Sequence, residues 1–425
     1  MIYLWTGVCL LCLILFYIIY RDLAAPPILS ALIWLIVYII IIQSKTNFIN
    51  NKYIGCFAIS LVFFSIGFLI LVPSRIKPID DESYSVRIKP NLSKPIIIFE
   101  YVATIIYVLI YKNDIINRTA SIWSSIRNSE IETNYMLGVL VNAFPIISAV
   151  SLYVYFKNPE KRNRNYFLLT LPPLLLAMLT SNRTTWFYVI STFIFVIIFT
   201  KQLKNKTIVK LAVAGGLIVS ILFVVSTLAK FSNMMITATN TEKVLYYVDV
   251  YFASPPLAFL QWLDNNHLFQ YGYGKYTFRF VLALLHVFNP SLEVPKTVLE
   301  FTIVDGMSTN VYTILHWYAM DGGLVWAYFI QFFIGIMFGL LYRKVRATNN
   351  PDRFFVVLLS MMMSIILGQF FCDQLATHVS AWIQRIFWCY FCCNILVQNI
   401  SLNQVVLPRK RLFYVPKIKI KVRNY

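Results

Sequence analysis

Residues 166–200 read YFLLTLPPLLLAMLTSNRTTWFYVISTFIFVIIFT, 35 positions with one charged side chain, Arg183. As a single helix this stretch would be ~52 Å long, far beyond a hydrocarbon core of ~30 Å. It therefore reads as two short spans, 166–181 and 185–200, joined by a tight turn at Asn182-Arg183-Thr184. The same texture fills the rest of the 425 residues, of which 59% are hydrophobic and 13% charged. The mean hydropathy is +0.68. A soluble globular chain carries about 25% charged residues, so a water-soluble enzyme is excluded. Further apolar runs at 2–20, 26–43, 53–73, 96–111, 135–156, 207–229, 322–342, 354–372 and 381–400 bring the expected count to eleven spans. They are apolar throughout, without the alternation of a membrane β-barrel, so their backbone groups must be satisfied inside helices. The expected fold is all-α, a polytopic integral membrane protein of about 11 transmembrane helices forming a single membrane domain over 1–425.

The net charge of +19 would suggest nucleic acid in a soluble protein. Here its location decides otherwise. Basic residues crowd 75–94, 157–164, 201–210, 343–353 and 409–423, which with Arg21 hold 25 of the 37 Lys and Arg. Under the positive-inside rule these segments are cytoplasmic. The N-terminus is then outside and the C-terminus cytoplasmic. The tail 401–425 is expected to lie on anionic headgroups, making membrane lipid a partner and nucleic acid not one. The first span lacks the basic start and cleavage site of a signal peptide and should be retained. The seven cysteines all fall in apolar spans, where no disulfide framework is implied.

By this topology 230–321 is one large outward loop, and loops of such length are usually functional. Two apolar pieces in it, 244–263 with Pro255-Pro256 and the 13-residue 276–288, read as short helices at the membrane interface. An arginine drawn toward the membrane, as Arg183 is, needs an anion or a water-filled cavity. The other outward polar residues are Arg279, His286, Asn310, His316, Asp321, Asp373, His378 and Arg385. Arg279 and His286 are seven apart and share a helical face. Asp373 and Arg385 are placed to pair across a hairpin. The acidic cluster Asp80-Asp81-Glu82 lies in a basic loop and reads as a solvated turn. No zinc spacing, phosphate-binding Gly loop or nucleophile elbow is present, so no metal or cofactor is expected. Arginine forks hold a diphosphate at any pH, and a nearby His or Asp takes a proton from an attacking sugar hydroxyl. A lipid-linked diphosphate donor fits this set, with His316 as the candidate base.

TSNRTTWFYVISTFIFVIIF (180–199), GYGKYTFRFVLALL (272–285) and TNVYTILHWYAMDGGLVWAYFIQFFIGIMFGLLYRK (309–344) together resemble bacterial oligosaccharide repeat-unit polymerases, the O-antigen polymerases. The shared pattern is a small-polar-Arg element before a span, a Gly-then-aromatic loop, an Asn-Val-Tyr-Thr element and an Asp-Gly pair opening the next span. It covers 180–344, and departs from many relatives at Ala319-Met320. The resemblance implies a glycosyltransferase that moves a growing glycan from undecaprenyl diphosphate onto a new undecaprenyl-diphosphate-linked oligosaccharide at the periplasmic face. A chain-length regulator and a flippase would be its partners. It makes Arg183 and Arg279 diphosphate binders and lets Asn310, Tyr312 and Asp321 shape the sugar site. The catalytic set is then Arg183, Arg279, His316 and Asp321, with Asn310, Tyr312, His378 and Arg385 binding substrate. Two other readings are an O-antigen ligase and a flippase or carrier for the lipid-linked unit. Because the sequence offers no ligand cluster, turnover should survive EDTA; activity lost to the chelator and restored by magnesium contradicts this.

Overall fold

The computed structural model describes residues 1–44, 47–78, 85–116, 135–157, 161–179, 183–231, 239–265, 271–296 and 299–400. The acidic cluster at 80–82 and the tail 401–425 lie outside them. The described residues are mostly helical: α1 (Ile2–Tyr20), α2 (Pro26–Gln43), α3 (Cys56–Leu71), α4 (Pro90–Ile116), α5 (Tyr135–Lys157), α6 (Leu171–Leu179), α7 (Arg183–Thr200), α8 (Asn205–Phe231), α9 (Asn240–Val248), α10 (Ser254–Asp264), α11 (Arg279–Phe288), α12 (Leu315–Arg346), α13 (Arg353–Gly368) and α14 (Val379–Phe391). A helix covers each of the eleven apolar segments in whole or in part. Four of them, α1, α2, the apolar part of α8 and α12, are long and apolar enough to cross a membrane. Exposed faces such as Leu4, Leu11, Ile14 and Ile18 on α1, or Val213, Leu217 and Ile221 on α8, carry the large side chains that lipid accepts and water does not.

All-α needs amendment at two places. Four residues, Ser85–Ile88, form β1 and pair antiparallel with β4, Val397–Ile400. The expected last span 381–400 therefore ends early: α14 gives way to a π turn at Cys392–Leu396 and then to that strand. Pairing with β1 satisfies backbone groups that a helix end leaves open. A second small hairpin joins β2 (Thr302–Val304) to β3 (Met307–Thr309). Between 166 and 181 the chain is also less regular than expected. A 3-10 stretch over Lys161–Thr170 precedes α6, whose Pro172 and Pro173 sit in its first turn, where a missing N–H is tolerated.

The expected outward loop 230–321 is largely structured. Helices α9 and α10 are joined through a π turn at Asp249–Ala253, so Pro255-Pro256 opens α10 instead of breaking it. Helix α10 is buried along Ser254–Leu260, beneath the surface on which an interfacial helix would lie. By contrast α11 has no buried residue and turns Phe278, Val281, Leu284, Leu285 and Phe288 outward, as a helix resting on a membrane surface would.

The tightest helix pair is α3 against α12. A Cβ placed on Gly67 would lie 2.0 Å from the Phe332 carbonyl oxygen, and one on Gly335 2.0 Å from that of Phe64. Gly339 faces Phe68 and Leu71. Backbones meet where side chains would otherwise hold them apart, the packing that lipid-embedded helices use in place of a hydrophobic driving force. Phe64 against Phe338 and Phe68 against Tyr342 flank this seam.

At one end of the bundle the basic segments converge. Arg346 pairs with Asp22 at 2.8 Å, and Asp22 also accepts from Tyr342 Oη at 2.6 Å. Asn205 bridges the turn after α1, and Gln202 bonds the Val345 carbonyl and Arg346. Lys157 reaches Asn350, and Tyr20 Oη reaches the Val72 carbonyl. At the far ends of α2 and α3, Ser44 bonds Asp249 and Asn51 bonds Asp264.

Replacing Gly335 with Ala should destabilise the protein by about 1–3 kcal/mol through overpacking at this seam. Gly216→Ala on α8, where nothing lies within 4 Å, should not. Thermal unfolding in detergent decides, and equal midpoints for the two variants would mean the seam is not tight.

Candidate functional site

Helix α12 is interrupted at Gly322 and Gly323, whose backbone angles are non-helical; Gly323 has φ 73° and ψ −169°, a region only glycine occupies readily. The break separates a buried turn, 315–321, from the long apolar run beyond it. A loop, 271–278, packs into the gap. Gly272 N donates to the Met320 carbonyl at 2.9 Å and Tyr273 N to that of Asp321 at 3.2 Å. The Asp321 carboxylate, buried, accepts from Tyr276 N at 3.0 Å and Thr277 N at 2.6 Å. Trp326 Nε1 adds a bond to Thr277 Oγ1. Gly272 leaves room for this carboxylate: a Cβ there would lie 2.7 Å from Oδ1. Asp321 thus fixes the segment that runs directly into Arg279, the first residue of α11.

A second buried carboxylate does the same on the other side. Asp373 accepts from Tyr318 Oη at 2.9 Å, Leu375 N at 3.1 Å and Thr377 N at 2.7 Å. Burial raises its pKa, while these hydrogen bonds and the nearby His378 oppose the rise. The loop it orders carries His378. The Thr377 hydroxyl donates to the Asp373 carbonyl at 2.7 Å and sits 2.7 Å from His378 Nδ1. With that hydroxyl proton committed, Nδ1 is the protonated ring nitrogen and Nε2 carries the free lone pair.

The His378 ring keeps solvent access on one side, yet enough protein surrounds it that burial lowers its pKa below the ordinary histidine value. Asp373 pulls in the other direction, and the charges of Arg385 and Arg279 reinforce the lowering. The two guanidinium groups are therefore close enough to act on this ring. Arg385 does not pair with Asp373 as expected. It lies over the rings of Tyr188 at 4.4 Å and Trp382 at 4.8 Å, a cation–π arrangement that leaves its N–H groups without protein acceptors among the described residues. Arg279 bonds through Nε to the Pro295 carbonyl, and its terminal amines are similarly unused.

The remaining expected residues fall in four places. Arg183 opens α7, five residues before the Tyr188 on which Arg385 rests; its side chain is outside what the structure describes. His316 is buried in an aromatic box, stacked on Tyr312 at 4.1 Å with Trp262 edge-on at 4.9 Å, and neither ring nitrogen has a partner. Nothing connects it to the arginines. Tyr312 is taken up in that stack, and Asn310 is half-buried in the turn after β3. His286 bonds the Leu292 carbonyl at 2.6 Å beside an open groove of about 640 Å³, which is lined by residues 283–296 and does not include Arg279 or His378.

The structure thus places Arg279 and Arg385 within electrostatic reach of His378 and makes Asp321 and Asp373 the supports of the segments leading to Arg279 and His378. The supports themselves are not legible as such: Tyr318 and Thr377 become partners of Asp373 only through the fold. Among the described residues no group of three or more metal-ligating side chains occurs. No family model, curated protein or solved structure matches the chain.

Asp321→Ala should strand two backbone donors, a cost of about 1–3 kcal/mol, and release the 271–278 loop. Trypsin cleavage at the exposed Lys275 should accelerate, with Asp321→Asn intermediate; unchanged cleavage would show that the carboxylate does not hold the loop.

Proposed function

We propose that the protein is a polymerase of lipid-linked oligosaccharide repeat units, acting at the outer face of a bacterial inner membrane. In this reading the apolar segments make eleven crossings, the basic end faces the cytoplasm and the Arg279–His378–Arg385 cluster faces the periplasm. The observation that supports it is that two arginines with unspent N–H donors lie within electrostatic reach of His378.

The chemistry follows from those groups. Arg279 and Arg385, joined by Arg183, hold the diphosphate of the donor, whose charge demands fixed cations that never deprotonate. His378 Nε2 takes the proton of the acceptor sugar hydroxyl. The acceptor oxygen bonds to the donor's anomeric carbon as the bond from that carbon to the diphosphate breaks, and polyprenyl diphosphate leaves with its charge stabilised by the arginines. His378, assigned above to substrate binding, suits the base role better than His316, which the rings of Tyr312 and Trp262 enclose. Asp321 and Asp373 act as positioning residues. The exposed apolar face of α11 suits a lipid-borne substrate approaching from the membrane.

Surface glycolipid from a host lacking this protein should run on a gel as core bearing a single repeat unit. A plasmid copy should restore the ladder, and a copy with Arg385→Ala or Arg279→Ala should not. Core without any sugar unit, with lipid-linked polymer accumulating, would instead indicate a ligase; units trapped inside would indicate a flippase.

The pH dependence has a defined sign. His378 works as a base only when neutral, and its pKa lies below the ordinary 6.5. Activity should hold through neutral pH and fall only on the acid side, below the ordinary histidine range. Titration of the His378 ring itself, followed by NMR, should move to higher pH in Arg279→Gln, which removes a charge opposing protonation. A ring titration unmoved by that change would show that Arg279 does not act on His378.

A further inference from the structure

Glu100 lies in α4 with none of its side chain accessible, and neither carboxylate oxygen has a hydrogen-bond partner. Polar groups around it are committed elsewhere. The Thr104 hydroxyl turns back to the Glu100 carbonyl at 2.7 Å, and Tyr101 Oη reaches the Leu168 carbonyl at 2.8 Å. The titratable group that faces it from a packed neighbour is the Cys392 thiol, buried in the π turn after α14. On the α5 side Phe99 packs edge-on against Phe144 at 6.1 Å, and Ser148 and Ser151 of α5 bond backbone carbonyls. No cationic side chain meets the carboxylate among the described residues. An ionised, unpaired carboxylate in such surroundings is the costly state, and a neutral acid is the one that burial permits.

We propose that Glu100 is a proton-binding site: a carboxylic acid held neutral within the bundle at pH 7, whose ligand is the hydrogen ion. A metal ion is not the occupant, because the second and third ligands it would need are lacking among the described residues. Loss of the proton sets a bare negative charge against the α4–α5 contact and loosens it, so the site links the packing of these helices to pH. The site is separate from the Arg279 cluster and does not rest on the reading of its chemistry.

A lipid-soluble carbodiimide tests this on the full chain in lipid nanodiscs. The acid gives its O–H proton to a carbodiimide nitrogen while its oxygen adds to the central carbon, and the O-acylisourea rearranges to a stable N-acylurea with nothing leaving. At pH 7 dicyclohexylcarbodiimide should place one adduct on the peptide containing Glu100, none on Glu100→Gln, and a water-soluble carbodiimide should place none. In parallel, the thermal midpoint of the wild type should fall as pH rises from 6 to 9, because the folded chain holds a proton that an unfolded glutamate releases above about 4.3. The isosteric Glu100→Gln should melt above the wild type at pH 6, by a margin that widens toward pH 9, and lose that slope. Equal labelling by the water-soluble reagent, a Glu100→Gln midpoint well below wild type at pH 6, or a slope retained in Glu100→Gln overturns the proposal.

Discussion

A helix in hydrocarbon can be broken only where other protein groups take up the freed backbone, and that constraint shapes the functional end of this molecule. In α12 the break falls at Gly322-Gly323, and loop 271–278 supplies partners for the freed carbonyls of Met320 and Asp321 through Gly272 N and Tyr273 N, while Tyr276 N and Thr277 N hold the Asp321 carboxylate. Beyond the break α12 runs against α3 through Gly67, Gly335 and Gly339, so the position of the loop is set by a rigid backbone seam. The same helix ends in Arg346, locked to Asp22 among the basic loops. One element therefore ties the charged end of the bundle to the end that carries the candidate chemistry.

Two buried aspartates do comparable work with different partners. Each spends its oxygens on backbone N–H groups of a loop that delivers a cationic or basic side chain: Asp321 for Arg279, Asp373 for His378. Being so engaged, neither is free to pair with an arginine. That leaves the guanidinium groups of Arg279 and Arg385 unneutralised, which is what a site for a dianionic ligand requires.

The helical, apolar architecture was legible in the sequence because span length and composition are set by the bilayer itself. The ends were less so. Nothing in 397–400 distinguishes the end of a span from a strand until β1 is available as its partner, and Pro255-Pro256 marks a helix start or a break depending on what precedes it. Arg279 and Arg385 stand out as charges in an apolar chain, and the Asp321-Gly322-Gly323 run marks the kink. His316 and His378 were indistinguishable by type. Burial among Tyr312, Trp262 and Phe259 removes the first from polar chemistry, and Thr377 orients the second. Such distinctions depend on contacts between segments tens of residues apart, which no local pattern records.

The proposed reaction forms a new glycosidic bond between two lipid-linked units at Arg279, His378 and Arg385. The direct measurement uses purified protein in nanodiscs with a synthetic polyprenyl-diphosphate-linked oligosaccharide as both donor and acceptor, and mass spectrometry of the lipid products. The account predicts lipid-linked glycan of doubled length with an equal amount of free polyprenyl diphosphate, both absent when His378 is replaced by Ala. Doubled glycan undiminished in that variant, or only unchanged substrate from folded wild-type protein, would contradict it.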